Sequence, residues 1–127
     1  MINIKVLVRG EIDTPPFVRI FQYPDKEEES IFFNSVAAIK KKIEMSLKIN
    51  ANETLAIFCA YVVEQMRIHK SQQEIENAAQ GIISNDQVLI GVPETLREMS
   101  FDVAVDNFPE QRIKFFEPMK ISNYMMT

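Results

Sequence analysis

One cysteine, one histidine and three scattered glycines set the first limits on what these 127 residues can do. A single thiol, Cys59, closes no internal disulfide, which suits a reducing compartment. A zinc site of the usual kind needs three or four histidine, cysteine or carboxylate ligands at tight spacing, and a dinuclear hydrolytic centre needs more. Cys59 and His69 could in principle form a nucleophile pair. Ten residues apart on one helix, however, they would point about 80° away from each other and sit roughly 15 Å apart along the axis. Gly10, Gly81 and Gly91 are isolated, so no glycine-rich phosphate loop is present. Lysines and acids interrupt every apolar run before it reaches membrane-spanning length. The opening stretch MINIKVLVRG alternates polar and apolar residues, unlike a secretory leader. With a net charge of −4, the chain has no general electrostatic reason to bind nucleic acid or an anionic membrane. A cytoplasmic protein without catalytic, cofactor-binding or metal-ligating residues of its own is the expectation.

What is present is a globular pattern, 46% hydrophobic and 25% charged, on a chain long enough to bury about two-thirds of its unfolded surface. Ile2, Ile4, Val6 and Val8 recur at period two and predict a half-buried strand. A charged loop with Pro15-Pro16 comes next, and the β-branched and aromatic run Phe17 to Tyr23 predicts an antiparallel partner. From about Glu27 the period lengthens. Phe32, Val36, Ile39, Ile43 and Leu47 line one helical face, with Glu27–Glu29 at its positive end and Lys40–Lys42 toward its negative end. Both charge runs read as solvated faces rather than binding patches.

Asn50 with Glu53 resembles a capping box opening a second helix, whose buried stripe is Leu55, Cys59, Val62, Val63 and Met66. Ser71 with Glu74 opens a third, carrying Ile75, Ala78, Ala79 and Ile82. Ser84-Asn85-Asp86-Gln87 repeats the device and predicts a shorter helix through Val88, Leu89 and Ile90. Gly91-Val92-Pro93 breaks it, and Glu94 to Glu98 allow one more turn. Met99 to Val105 alternates as a strand, Asp106 to Glu110 supplies turn residues, and Gln111 to Glu117 returns. The expected fold class is α+β: about four helices in a bundle-like core, with short antiparallel strand pairs at the N- and C-terminal ends. The expected divisions are a strand pair over 1–24, a helical core over 27–98, a hairpin over 99–118 and an apolar tail over 119–127.

The order of these pieces resembles the γ subunit of urease. Leu47-Lys48-Ile49-Asn50 stands before the second long helix. Ser84-Asn85-Asp86-Gln87-Val88-Leu89-Ile90-Gly91-Val92-Pro93-Glu94 then leads into a strand, the Phe108-Pro109 turn and a closing strand. Lys41-Lys42 occupies the place of an arginine pair and Arg67 that of a single arginine. Glycines usual in that family near Ser46 and around Arg67 to Lys70 are absent here, and residues 1–24 have no counterpart. The resemblance implies a non-catalytic structural subunit that supports a large, nickel-bearing subunit hydrolysing urea to ammonia and carbamate. The implied partners are the large (alpha) and beta subunits in a trimeric (αβγ)3-type assembly.

The residues also allow two other readings. One is a stand-alone interaction or assembly module that keeps the γ-like fold without urease activity. The other is a small enzyme using carboxylates such as Asp86, Glu94 and Glu98 as acid and base, with Glu94 and Glu98 four apart on a helical turn.

Overall fold

The computed structural model describes residues 1–11 and 13–119. Four strands form one antiparallel sheet in the order β2-β1-β3-β4, comprising β1 (Ile2–Arg9), β2 (Phe17–Tyr23), β3 (Glu98–Val105) and β4 (Gln111–Phe116). The terminal strand pairs expected separately are therefore joined edge to edge. β1 pairs with β3 over eight residues, from Ile2 opposite Val105 to Arg9 opposite Glu98. Period-two alternation then puts Ile2, Ile4, Val6 and Val8 on the same face as Met99, Phe101, Val103 and Val105, and all eight are buried. Each such side chain contributes about 1.5–3 kcal/mol when removed from water.

The helices are not a bundle between two strand pairs; they lie against this apolar face. α1 (Lys26–Glu44) packs on β2 and on α2 (Ala51–Arg67), α2 reaches β3, and the short α3 (Gln72–Asn77) packs on β4. Asp25 caps α1 by accepting from the Glu28 backbone N–H, and Asn50 with Glu53 closes a capping box on α2, as does Ser71 with Glu74 on α3. The α2 stripe is as expected, with Leu55, Cys59, Val62, Val63 and Met66 all buried beside Phe58. On α1 only Phe32 and Val36 of the expected stripe are buried, while Ile39 and Ile43 are half-covered and Leu47 is exposed. A T-shaped group of Phe58, Phe101 and Phe115, with centroids 5.0 and 5.5 Å from Phe115, joins α2 to β3 and β4.

The helix expected from Ser84 to Ile90 shrinks to a single 3-10 turn, Asn85–Gln87. Its capping box does form, with Ser84 and Gln87 bonded reciprocally. Val88 is then drawn out of helical geometry into a parallel bridge with Ile49, and both side chains are buried. The backbone N–H of Leu89 donates to Ile49 O at 2.9 Å. Gly91, at φ 92°, starts the last turn, α4 (Val92–Thr95), so it opens that turn as well as ending the preceding segment. Of the expected tail, Met119 is buried and residues 120–127 lie outside the described part of the chain.

Candidate functional site

The structure separates the residues that could have formed a reactive centre. Cys59 is fully buried in α2, and burial pushes its thiol well above the ordinary value, which makes it an apolar core residue rather than a nucleophile. His69 lies exposed beyond the end of the same helix, its ring edge-on to Phe108 at 5.3 Å. Asp86 is held by the Ser84 hydroxyl, whose hydrogen bond keeps its carboxyl below the usual range. Glu94 lines a shallow groove with Glu11, Asn85, Pro93, Arg97, Glu117 and Met119. Glu98 instead lies on the opposite face of the sheet, in a groove with Arg9, Arg112 and Lys114. The three carboxylates therefore share no cavity. Among the described residues, no three histidine, cysteine, aspartate or glutamate side chains are grouped to hold a metal ion.

A polar cluster that no local sequence pattern announces lies where four elements meet. Glu29, expected as a solvated acid at the start of α1, is 7% exposed. One carboxylate oxygen accepts from the Met1 amine at 2.6 Å and the other from Arg67 Nη2 at 2.7 Å. Asp106, in the β3–β4 turn, accepts from the same amine at 3.0 Å and from Arg67 Nε and Nη2 at 3.1 Å each. Two cations and two anions thus alternate around a closed ring that ties the start of β1, the first turn of α1, the end of α2 and the β3–β4 turn. Burial pushes the Glu29 carboxyl up, but the bonds from the amine and Arg67 outweigh it and hold it below the usual range. The Arg67 and Met1 bonds lower Asp106 in the same way, while Glu29 and Asp106 raise the amine. An open groove of 710 Å³ runs past this ring. With every charge matched, its chemistry is that of a clamp. No sequence window could reveal it, because its members are separated by 28 to 105 residues.

Both long helices end in the same backbone motif, without glycine. α1 ends in a Schellman motif, with Ser46 N donating to Ile43 O and Leu47 N to Lys42 O, both at 2.9 Å. α2 ends identically, with His69 N to Met66 O and Lys70 N to Gln65 O, both at 3.0 Å. The motif requires a left-handed residue, and Ser46 (φ 63°) and His69 (φ 65°) take that role.

The Gly91-Val92-Pro93-Glu94 segment presents a mixed surface. Val92 and Leu96 are buried beneath it, whereas Leu89 is half-exposed and Ile90 wholly exposed just before it. Lys48 Nζ donates to Asp86 O at 2.9 Å, which holds the two halves of this region together across 38 residues.

Against known proteins, the model of a family described as "Urease, gamma subunit" matches residues 21–110. "Urease subunit gamma" of Halalkalibacterium halodurans is 29% identical over 99 residues, spanning 76% of this chain and 96% of that protein. The family match begins within β2 and stops short of β4, so it takes in all of α1 to α4 and β3 but leaves out β1.

Proposed function

The chain belongs to the urease γ-subunit family, and on that footing we propose that it is a non-catalytic structural subunit of urease. Its role is to support the large subunit whose nickel centre hydrolyses urea, within an assembly that also contains the beta subunit and repeats around a threefold axis. The observation that carries this reading is the family match across residues 21–110, which contains every long helix and the Gly91-Val92-Pro93-Glu94 segment.

The residue chemistry supports the same division of labour. Nickel does not fit this chain: its one histidine stands alone at a helix end and its one thiol is sealed in the core. Its contribution to catalysis is therefore indirect, through the stability and placement of a partner. The apolar side chains of Leu89 and Ile90, left in water by the isolated chain, are suited to packing against another subunit. Among the described residues no helix is long and apolar enough to cross a membrane.

A second reading is favoured by one observation. β1, outside the family match, supplies the whole partner of the β3 edge, as a module released from its original complex would need. The two readings part in one experiment. The chain carries an affinity tag at its C-terminus, because the Met1 amine is engaged with Glu29 and Asp106. It is then recovered from its native cells, its companions are identified by mass spectrometry, and the eluate is assayed for urea hydrolysis. A large nickel-bearing companion with activity supports the structural subunit. Recovery of the chain alone, or with unrelated proteins and no activity, overturns it in favour of the independent module.

A further inference from the structure

The two edges of the sheet are treated differently. At the β4 edge, Arg112 and Lys114 project from a six-residue strand, and Glu76 of α3 accepts the Lys114 backbone N–H at 2.7 Å. That edge is charged, short and capped, as isolated edges generally are. The β2 edge has less of this protection. Its seven residues, Phe-Val-Arg-Ile-Phe-Gln-Tyr, hold a continuous register against β1 and contain one charge, Arg19. Val18 is 40% and Ile20 62% exposed. A continuous, mostly apolar edge of this kind is a template for pairing with another strand.

The neighbouring helix carries a second, independent sign. α1 packs on β2 through Phe32, whose ring stacks on Tyr23 at 4.7 Å and lies 6.1 Å from Phe21. From Ser30 to Ile39 this helix has no charged residue, although Ile31, Asn34, Ser35, Ala37 and Ala38 are exposed or half-exposed. Charge is confined to its two ends, mainly acidic at the first (Glu27 and Glu28 beside Lys26) and mainly basic at the second (Lys40 to Lys42 beside Glu44). In a chain that is 25% charged, a strand edge with a single charge beside a helix middle with none marks a surface meant to be covered.

We propose that the cover is a second copy of this chain, docked about a twofold axis through Ile20 so that β2 pairs antiparallel with β2 of its partner and the two sheets become one of eight strands. In that register Ile20 meets Ile20, Phe17 meets Tyr23, Val18 meets Gln22, and Arg19 meets Phe21. The only charge on the edge then faces an aromatic ring, and its guanidinium already lies over Phe17 at 4.6 Å. Because Phe32 holds α1 against the Phe21–Tyr23 end of β2, the same axis runs the two α1 helices antiparallel. Glu27 and Glu28 of each then approach Lys41 of the other, Lys42 being held by Glu53 of its own chain at 2.6 Å, while the uncharged middles meet between them. An isologous contact of this kind is self-complementary in both shape and charge.

The test uses the isolated full chain and needs no urease partner, so its outcome is independent of the functional reading above. Sedimentation equilibrium over a concentration series reads the monomer–dimer constant. The wild-type chain is a dimer at tens of micromolar. Ile20→Lys puts two like charges on the axis and raises the dissociation constant at least about tenfold. Ile20 is largely exposed within the monomer, so an unchanged melting temperature at low concentration separates this effect from misfolding. Lys41→Glu weakens the dimer about as much, and the double variant Glu28→Lys/Lys41→Glu restores it to within about threefold. A chain that stays monomeric to about 100 µM, a dimer indifferent to Ile20→Lys, or a double variant no better than the single one would each overturn the proposal.

Discussion

Replacing Ser46 with glycine should make the protein more stable, against the usual expectation that glycine weakens a helical region. Ser46 holds φ at 63° as the left-handed residue of the Schellman motif that ends α1. An L-residue there costs about 1–2 kcal/mol, because its Cβ crowds the following carbonyl oxygen. Glycine removes that crowding but enlarges the unfolded ensemble, which returns roughly 0.5–1 kcal/mol. The net gain is about 0.5–1 kcal/mol. With an unfolding entropy of about 2.1 cal/mol/K per residue, the 127-residue chain should melt about 2–4 °C higher. Ser46 is exposed, so no packing is lost. The control is Ser46→Ala, which keeps the Cβ and gains nothing. Thermal melts followed by circular dichroism and guanidinium titrations with matched slopes provide the two readouts. A glycine variant no more stable than the alanine variant would show that the strain reasoning is wrong.

Further expectations concern the second Schellman motif, the charge clamp and the caps. His69→Gly should stabilise by less than Ser46→Gly, because it also discards the ring contact with Phe108; paired melts of the two variants check the order. Arg67→Ala leaves Glu29 buried with only the amine as partner and should cost about 2 kcal/mol in a guanidinium titration. The carboxyls of Glu29 and Asp106 are lowered on folding, so their contribution is complete above the unfolded carboxylate range and is lost as pH falls through the lowered values. The amine is raised, so its contribution is complete below its unfolded value and is lost as pH rises through the higher one. Stability measured against pH should therefore form a plateau between about pH 5 and 8, with a shallower acid limb in Arg67→Ala. Asn50→Ala removes the acceptor for Glu53 N and should cost about 1 kcal/mol, visible as a lower guanidinium midpoint at unchanged slope.

Local pattern carried the elements well. Period two placed β1 and β3, and the boxes at Asn50 and Ser71 placed the starts of α2 and α3, because those signals act over a few residues and the folded chain obeys them. The box at Ser84 shows where such reasoning ends. It starts a turn correctly, but the contact of Val88 with Ile49 sets the path of the next residues, and a pairing across 39 positions leaves no trace in either segment alone. The same holds for the joining of β1 to β3 and for the burial of Glu29, whose acidic neighbours give it the look of a solvated helix start. The family match rests on the helical middle and β3, which explains why the resemblance was legible while the role of residues 1–20 was not.

The position of β1 has a consequence for how the molecule comes into being. It is made before its partner and yet is an interior strand, and its neighbour β3 begins 89 residues after β1 ends, Glu98 against Arg9. At a synthesis rate of roughly 5–20 residues per second, the β1–β2 hairpin waits about 5–20 seconds with its inner edge and its row of Ile2, Ile4, Val6 and Val8 uncovered. An edge so disposed is open to a neighbouring chain on the same message as much as to its own β3. The slow step is the search of β3 for β1, since closing so long a loop precedes any reward from the contact. Folding on the ribosome should therefore wait for β3, with the sheet completed only once Glu98–Val105 has emerged.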